Sequence, residues 1–168
     1  MDFIKEFASP LLNEPIVLFI FISFLLYAGV RDFQTKLIRD KLNIFFLSTA
    51  IVLMVLTGLS DAFAFETIRL EFGWSNVAGL IMGFLFLFIP AFIKNQPMGG
   101  DIKISAVVGF WLGYEAMLGV LLIATLANLL YWVGAFYVYK NFGSKTLMPF
   151  APFIAIGALV FYGTAYFL

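Results

Sequence analysis

The sequence predicts an all-α polytopic membrane protein with six transmembrane helices, the fourth of them short. Of its 168 residues, 63% are apolar and 12% are charged, and the mean hydropathy is +1.03. The apolar residues form continuous runs, unlike the alternating segments of about ten residues in a membrane β-barrel. Because a helix needs about 20 apolar residues to cross the hydrocarbon core, the chain accommodates six spans. We therefore expect one membrane-embedded domain, residues 1–168, without a separate soluble domain.

The first half of the chain predicts three spans separated by two loops. Residues 11–30 form a nearly uninterrupted apolar run, which predicts the first span. Residues 31–41 follow as a polar loop and are the most charged stretch of the sequence. The next apolar run, residues 42–59, predicts the second span. Residues 60–74 are acidic and rich in phenylalanine, which is typical of a loop at the membrane interface, and residues 75–93 predict the third span.

The second half predicts three more helices of unequal length. Pro90 lies near the end of the third span, where it should bend or end the helix. Residues 102–113 are too few to cross a bilayer alone, so they predict the short fourth helix. Residues 113–115 should then interrupt the helix and separate the fourth from the fifth. Residues 116–139 predict a long fifth span, and the sixth, residues 147–168, follows a polar turn.

The composition also excludes several kinds of chemistry. The chain has neither histidine nor cysteine, which rules out Ser-His and Cys-His nucleophilic sites, thiol redox centres and zinc fingers. The net charge is zero, which argues against a nucleic-acid surface. We expect no metal and no cofactor. The side chains left to catalyse a reaction near neutral pH are carboxylates.

The basic residues predict how the chain is oriented in the membrane. If the first, third and fifth loops share one side, eight of the ten basic residues gather there. These eight are Arg31, Lys36, Arg39, Lys41, Lys94, Lys103, Lys140 and Lys145. The opposite side keeps only Lys5 and Arg69. Because short cytoplasmic loops are enriched in lysine and arginine, this arrangement predicts an inner (plasma) membrane protein with both termini outside.

Two acidic residues on the predicted cytoplasmic side fall at the same membrane depth. Asp32 ends the first span and Asp101 begins the fourth. Ionisable groups at the edge of a helical bundle indicate function, because burying them is costly. Two carboxyl groups that converge on one water share a proton, so one can take a proton from the water while the other hydrogen-bonds a carbonyl. Which aspartate plays which role belongs to the pair.

Each acid also has a plainer interpretation. Asp101 could be the N-cap of the fourth helix, with Gly99 and Gly100 forming the turn before it. Asp32 could be a solvated loop residue that balances neighbouring cations. Asp40 is interpreted as a solvated loop residue or a helix cap. The two glycines have a functional interpretation as well, since a backbone without Cβ atoms lets an extended substrate approach closely.

Three segments of the sequence carry a joint resemblance: residues 32–38, 100–113 and 149–157. Taken together, they resemble the motifs of type IV prepilin peptidases, membrane aspartyl proteases of the GxGD class. Residues 100–113 resemble the family signature, a Gly-Asp-x-Lys-Leu sequence followed by a small-residue helix that ends in Gly-x-Trp-Leu-Gly. Residues 32–38 are similar to the first catalytic motif. Residues 149–157 are similar to the final helix of the family. The three motifs occur in the family's order and are spread over residues 32–157, most of the length of the chain.

The resemblance implies a set of site residues. Asp32 and Asp101 would be the catalytic pair. Two motifs depart from the family pattern: methionine stands at the first glycine of GxGD, and Arg39 with Asp40 replaces the usual Pro-Asn. Neither departure removes a catalytic carboxylate, but methionine restricts the backbone where glycine would not. The implied substrate-binding residues are Met98, Gly99, Gly100 and Lys103.

The resemblance also implies an activity. The family removes a short basic leader from prepilin or pseudopilin precursors at the cytoplasmic membrane face, and the expected partners here are such precursors and the lipid bilayer. Many bacterial members also methylate the new N-terminus through an additional N-terminal region with a cysteine-rich zinc loop. This sequence has no cysteine, so we expect a minimal form with peptidase activity and without methyltransferase activity.

Two other functions remain compatible with an aspartate pair in a membrane bundle. One is an intramembrane GxGD protease of the presenilin or signal-peptide-peptidase kind, although the Pro-Ala-Leu element of those families is missing from the sequence. The other is a transporter or assembly scaffold that uses Asp32 and Asp101 as an ion or proton site. Substitution of either aspartate by asparagine separates these functions, because only a protease would lose cleavage.

Overall fold

The computed structural model shows an all-helical chain over the residues that it describes. Among those residues, five helices follow one another and none forms a strand. The helices are α1 (Pro15–Thr35), α2 (Asp40–Phe63), α3 (Trp74–Lys94), α4 (Gly99–Val138) and α5 (Ala151–Phe167). The described residues are 14–35, 38–63, 73–95, 99–138 and 149–167.

The helices have the length and composition of a membrane bundle. Four segments are long and apolar enough to cross a membrane, and they lie in α1, α2, α3 and α4. The fifth helix is apolar but shorter. Large apolar side chains such as Phe19, Phe92 and Leu130 are exposed on the outside of the bundle, as expected where lipid replaces water. The predicted all-α membrane class therefore agrees with the structure, whereas the predicted count of six spans is not confirmed.

Helix α1 extends beyond the predicted end of the first span. Residues 31–35, expected to begin a loop, form its last turn, and the hydroxyl of Thr35 donates a hydrogen bond to the carbonyl of Arg31 (2.7 Å). A helix satisfies its backbone groups internally, so it need not end where the apolar run ends. As a result, Asp32 lies within a helix and not in a loop.

Helix α3 continues through the proline that was expected to bend or end it. It runs four residues past Pro90 to Lys94. Asn95 then ends the helix in a left-handed conformation (φ 48°, ψ 46°), and its N–H group donates to the carbonyls of Ala91 and Phe92. Asparagine is one of the few residues that adopts this C-terminal conformation readily. Proline is tolerated inside membrane helices when neighbouring groups compensate for the missing N–H.

Helix α4 begins earlier than predicted and breaks where predicted. It starts at Gly99, three residues before the expected start of the fourth helix. Gly113 has φ 74° and ψ 171°, a conformation that glycine adopts easily and that is strained for other residues. This glycine divides α4 into a first segment, residues 99–112, and a second segment, residues 114–138.

The two segments of α4 fold back on each other at Gly113. A Cβ atom on Gly83 of α3 would meet both the backbone of Ser105 and the side chain of Met117. Ser105 and Met117 are twelve positions apart, which corresponds to about 18 Å along a straight helix. Their shared neighbour therefore shows that the second segment returns alongside the first.

Side-chain hydrogen bonds hold this turn against the start of α3. The hydroxyl of Ser75 donates to Glu115 (2.8 Å) and accepts a hydrogen bond from the N–H of Tyr114 (3.3 Å). One turn away, the amide of Asn76 donates to the carbonyl of Phe110 (2.8 Å). The polar residues at this end of the bundle therefore connect α3 to both segments of α4.

Helix α3 packs against the first segment of α4 at very close range. A Cβ atom on Gly79 would overlap the carbonyl oxygen of Gly109, and a Cβ atom on Gly109 would overlap that of Gly79. A Cβ atom on Gly83 would likewise overlap the carbonyl oxygen of Ser105. Small residues let membrane helices approach until their backbones touch. The register of these contacts makes the two helices antiparallel.

An aromatic cluster fills the centre of the bundle. Trp111 of α4 is only 1% exposed, and its ring lies 5.5 Å from that of Phe21 and 5.0 Å from that of Phe46. Its indole N–H donates a hydrogen bond to the carbonyl of Phe46 (3.2 Å). Phe21 also contacts Tyr162 of α5 (6.4 Å). These rings connect α1, α2, α4 and α5 inside the bundle.

The start of α5 lies beside the last turns of α1. A Cβ atom on Gly29 would be 3.2 Å from the Cα atom of Pro152. On its other side, α5 packs against the second segment of α4, where the rings of Tyr131 and Phe153 are 5.6 Å apart. This packing brings the ends of α1 and α5 to the end of the bundle where α4 begins.

Candidate active site

The two aspartates singled out in the sequence meet at one end of the bundle. Asp32, on the last turn of α1, is only 3% exposed. Asp101 is the third residue of α4 and is partly buried. Their carboxyl groups lie within hydrogen-bonding reach of each other. The convergence that was expected from their common depth is therefore present, although 69 positions separate the two residues.

The first backbone N–H groups of α5 face this pair. Those of Phe150 and Ala151 interact with the carboxyl group of Asp101, and that of Ala151 also interacts with Asp32. The carbonyl of Phe150 accepts hydrogen bonds from the N–H groups of Phe153 (3.0 Å) and Ile154 (3.2 Å), so Phe150 is the residue that directly precedes α5 and accepts its first hydrogen bonds. Helix N-termini carry unpaired N–H groups and a partial positive charge. The start of α5 therefore stabilises negative charge on the pair.

These backbone groups were missed in the sequence, although a signal for them was present. Proline is favoured in the first turn of a helix, where its missing N–H is not needed. Pro149 stands two residues before α5 and Pro152 is the second residue of the helix, so together they mark its N-terminus. The two prolines could therefore have indicated that backbone N–H groups, besides side chains, face the aspartate pair.

One oxygen of each carboxyl group has no partner among the described residues. These atoms are Oδ2 of Asp32 and Oδ1 of Asp101, and both are buried. A buried oxygen without a hydrogen bond is costly, so each is suited to receive one from a water or a substrate. Two carboxyl groups this close cannot both ionise cheaply, which leaves one as a base and the other as a hydrogen-bond donor.

The geometry also decides between the alternative interpretations of these acids. Asp101 does not cap α4, because it lies inside the first turn and its carboxyl group faces Asp32. Asp32 is not a solvated loop residue, because it is helical and buried. Asp40, in contrast, is exposed and begins α2, in agreement with its interpretation as a solvated residue at a helix start.

The residues implied to bind substrate lie in different surroundings. Gly99 and Gly100 are helical, which corrects the expectation of a turn before the helix. Gly99 has open space around it, whereas a Cβ atom on Gly100 would lie 3.2 Å from that of Ile38. Lys103 forms an ion pair with Asp40, with Nζ 2.7 Å from Oδ1.

Met98, the remaining implied residue, lies outside the described residues. Within the described ranges, no three acidic side chains come close enough together to hold a metal ion. The part of the site that the structure describes contains two carboxyl groups and the backbone N–H groups that face them.

Comparison with known proteins identifies the family of the chain. The model of the type IV leader peptidase family matches residues 19–133, a range that contains both aspartates. The chain is 31% identical over 144 residues to the prepilin leader peptidase/N-methyltransferase of Bacillus subtilis (strain 168). It is 28% identical over 145 residues to that of Escherichia coli (strain K12). It is 36% identical over 101 residues to that of Burkholderia pseudomallei (strain 1026b).

The matches cover most of this chain but only part of each relative. The first two alignments each include 85% of the chain, with 53% of the Bacillus protein and 60% of the Escherichia protein. The third includes 55% of the chain and 32% of the Burkholderia protein. No solved structure matches. The family model covers more than half of this chain, and the chain therefore belongs to the type IV leader peptidase family.

Proposed function

We propose that the chain is an aspartyl endopeptidase that removes the short basic leader from prepilin-like precursors. The observation that supports this most directly is the pair formed by Asp32 and Asp101, two carboxyl groups within hydrogen-bonding reach at the end of a membrane bundle. Relatives that are named prepilin leader peptidase/N-methyltransferase support the substrate class. The catalytic role of both residues is part of the proposal.

In the proposed reaction, the pair shares one proton and works on a bound water. The ionised carboxyl group takes a proton from the water, whose oxygen attacks the carbonyl carbon of the scissile peptide bond. The protonated carboxyl group hydrogen-bonds the carbonyl oxygen, which becomes a hydroxyl as it accepts that proton. The tetrahedral intermediate then collapses: the carboxyl group that took the water proton passes it to the leaving nitrogen, the C–N bond breaks, and a hydroxyl of the intermediate gives its proton to the other carboxylate as the carbonyl re-forms. The pair ends as it began, with one proton.

The start of α5 fits this cycle. The backbone N–H groups of Phe150 and Ala151 are fixed by the helix, so they can stabilise negative charge on the pair without rearrangement. Fixed dipoles of this kind are effective in catalysis because they need not reorganise during the reaction. They favour the state in which one carboxyl group is ionised, and this state is the one that activates water.

We further propose that the site opens on the cytoplasmic side of the membrane. The first, third and fifth loops would lie there with eight of the ten basic residues, and both termini would lie outside. The two segments of α4 would count as a short fourth helix and a full fifth span, which makes six helices in all. The basic leader of a precursor would then stay in the cytoplasm while its apolar segment enters the bilayer.

Methyl transfer is not expected from this chain alone. The relatives carry N-methyltransferase in their names, and the chain spans about half of the Bacillus protein. The cysteine-rich loop that the family resemblance associates with methyl transfer has no counterpart in a sequence without cysteine. We propose that the 168 residues carry the peptidase step.

Cleavage by the reconstituted protein tests this function. The purified chain is placed in lipid vesicles with a prepilin-type precursor, and the products are identified by mass spectrometry. We expect one cut that releases the basic leader, and an unmethylated new N-terminus even when a methyl donor is added. If several precursors stay intact under conditions where the protein is folded, the proposed function is wrong.

A further inference from the structure

Two contacts hold the first turn of α4, one on each side of Asp101. One residue before the aspartate, Gly100 packs so tightly against Ile38 that an added Cβ atom would lie 3.2 Å from the Cβ atom of Ile38. Two residues after the aspartate, the ammonium group of Lys103 lies 2.7 Å from the carboxylate of Asp40. Ile38, just before α2, and Asp40, its first residue, therefore contact α4 on either side of Asp101.

The two contacts differ in kind and in what each can determine. Ile38 is buried, so its contact with Gly100 sets how closely α4 approaches. This contact sets a distance and includes no charged group that could also fix the rotation of the first helical turn. The pair of Asp40 and Lys103 joins a side chain of α2 to one of α4 and limits that rotation. Because Lys103 and Asp101 lie on the same turn, the rotation also determines where the Asp101 carboxyl group points.

We propose that Asp40 is a positioning residue for the aspartate pair: through Lys103, it holds the first turn of α4 so that Asp101 faces Asp32. The inference rests on the proposed peptidase function and adds two residues to its site. It also gives Lys103 a different role from the substrate contact implied by the family resemblance. In this structure, the charge of Lys103 is directed to a residue of the same chain.

The exposure of the Lys103 and Asp40 side chains indicates whether their replacement should affect stability or the rate of cleavage. The side chain of Lys103 is 53% exposed and that of Asp40 is 65% exposed, and ion pairs as exposed as this one contribute little to folding. Replacing either residue should therefore leave the protein folded. Catalysis is far more sensitive to position, because a displacement of about 1 Å can slow a reaction roughly a hundredfold. The pair should therefore influence the rate of cleavage and hardly affect stability.

A double-mutant cycle on kcat tests the proposal. Wild type, Asp40→Asn, Lys103→Gln and the double variant are compared for leader cleavage in vesicles. We expect each single variant to lose about three- to tenfold in kcat with KM within about twofold, and the double variant to be no slower than either one. Such non-additivity is the signature of two residues that act through one contact. Arg39→Gln is the matched control, because it removes an exposed charge beside Asp40 and leaves the pair intact.

The exchanged pair, Asp40→Lys with Lys103→Asp, provides a second readout. It should recover a substantial part of the rate lost in Asp40→Lys alone, where two lysines face each other. Recovery should be incomplete, because a lysine in the first turn of α2 opposes the dipole of that helix. Tyrosine fluorescence or thermal unfolding in detergent should be the same for all variants.

Three results would overturn the inference. The first is additive losses in the double variant, and the second is an exchanged pair no faster than Asp40→Lys. The third is a Lys103→Gln variant that raises KM at unchanged kcat, which would place Lys103 in contact with the substrate. Failure here differs from failure of the proposed function, because the cycle is measured only relative to a wild type that cleaves.

Discussion

Replacing Gly79 by alanine should both destabilise the bundle and slow the reaction. The added methyl group would overlap the carbonyl oxygen of Gly109, the carbonyl carbon of Gly113 (2.7 Å) and the carbonyl carbon of Gly109 (3.0 Å). All three are backbone atoms, so no flexible side chain can move aside. The two helices must separate by roughly 1 Å to restore an ordinary contact.

The magnitude follows from that displacement. Overpacking a close helix contact costs about 1–3 kcal/mol of the free energy of unfolding. The first segment of α4 also carries Asp101, so a shift of about 1 Å should lower kcat for leader cleavage by up to roughly a hundredfold. Thermal unfolding in detergent measures the first effect, and cleavage in vesicles at saturating precursor measures the second.

Gly134→Ala is the matched control for this prediction. A Cβ atom on Gly134, in the second segment of α4, has no neighbour within 4 Å. Alanine there should leave cleavage unchanged and stabilise the helix by up to about 1 kcal/mol. If Gly79→Ala proves as stable and as active as Gly134→Ala, the close crossing of α3 and α4 is not a feature of the protein.

Three further changes should have separable effects. Trp111→Ala should destabilise the protein by about 3–5 kcal/mol in thermal unfolding, because it empties the aromatic centre of the bundle; Trp111→Phe should cost clearly less, and equal losses would contradict the packing argument. Ser75→Ala should cost about 1 kcal/mol through two lost hydrogen bonds at the turn of α4, yet keep the cleavage rate, since the turn lies at the other end of the bundle. The cleavage rate should fall at both low and high pH, because a pair with two protons cannot activate water and a pair with none cannot protonate the carbonyl oxygen. A rate that levels off in one direction and does not fall again would indicate a single working carboxyl group.

Much of the site could be predicted because charge and depth constrain a membrane protein strongly. Asp32 and Asp101 end and begin apolar runs, so their convergence followed from where the runs meet the interface. The break at Gly113 could be predicted as well, because a glycine beside polar residues interrupts an otherwise continuous helix. Both predictions use neighbouring residues in the sequence. Charged residues are costly in lipid, so few other positions in the bundle are open to them.

The misplaced helix ends have a physical cause. Apart from Phe33, residues 31–35 and 99–101 are polar or glycine, and such stretches are typical of loops. Both stretches are nevertheless helical, because packing against neighbouring helices and internal hydrogen bonds outweigh weak propensities. Composition alone shows where the apolar run stops, and the helix continues beyond that point.

The pairing of Lys103 with Asp40 could not be predicted from the sequence. Both residues are exposed and lie 63 positions apart. Each has other charged residues near it along the chain, so no pattern favours one partner. Only the fold, which brings the start of α2 against the first turn of α4, selects this pair. The resemblance to the family had suggested a substrate contact for the lysine instead.

The most direct test of the account is to remove each carboxylate of the pair in turn. Leader cleavage in vesicles is compared for wild type, Asp32→Asn, Asp101→Asn and the control Glu115→Gln, which neutralises an acid at the other end of the bundle. The account predicts cleavage by wild type and by the control, and none by either aspartate variant at equal levels of folded protein. Cleavage by Asp32→Asn or by Asp101→Asn would show that the pair does not carry the reaction.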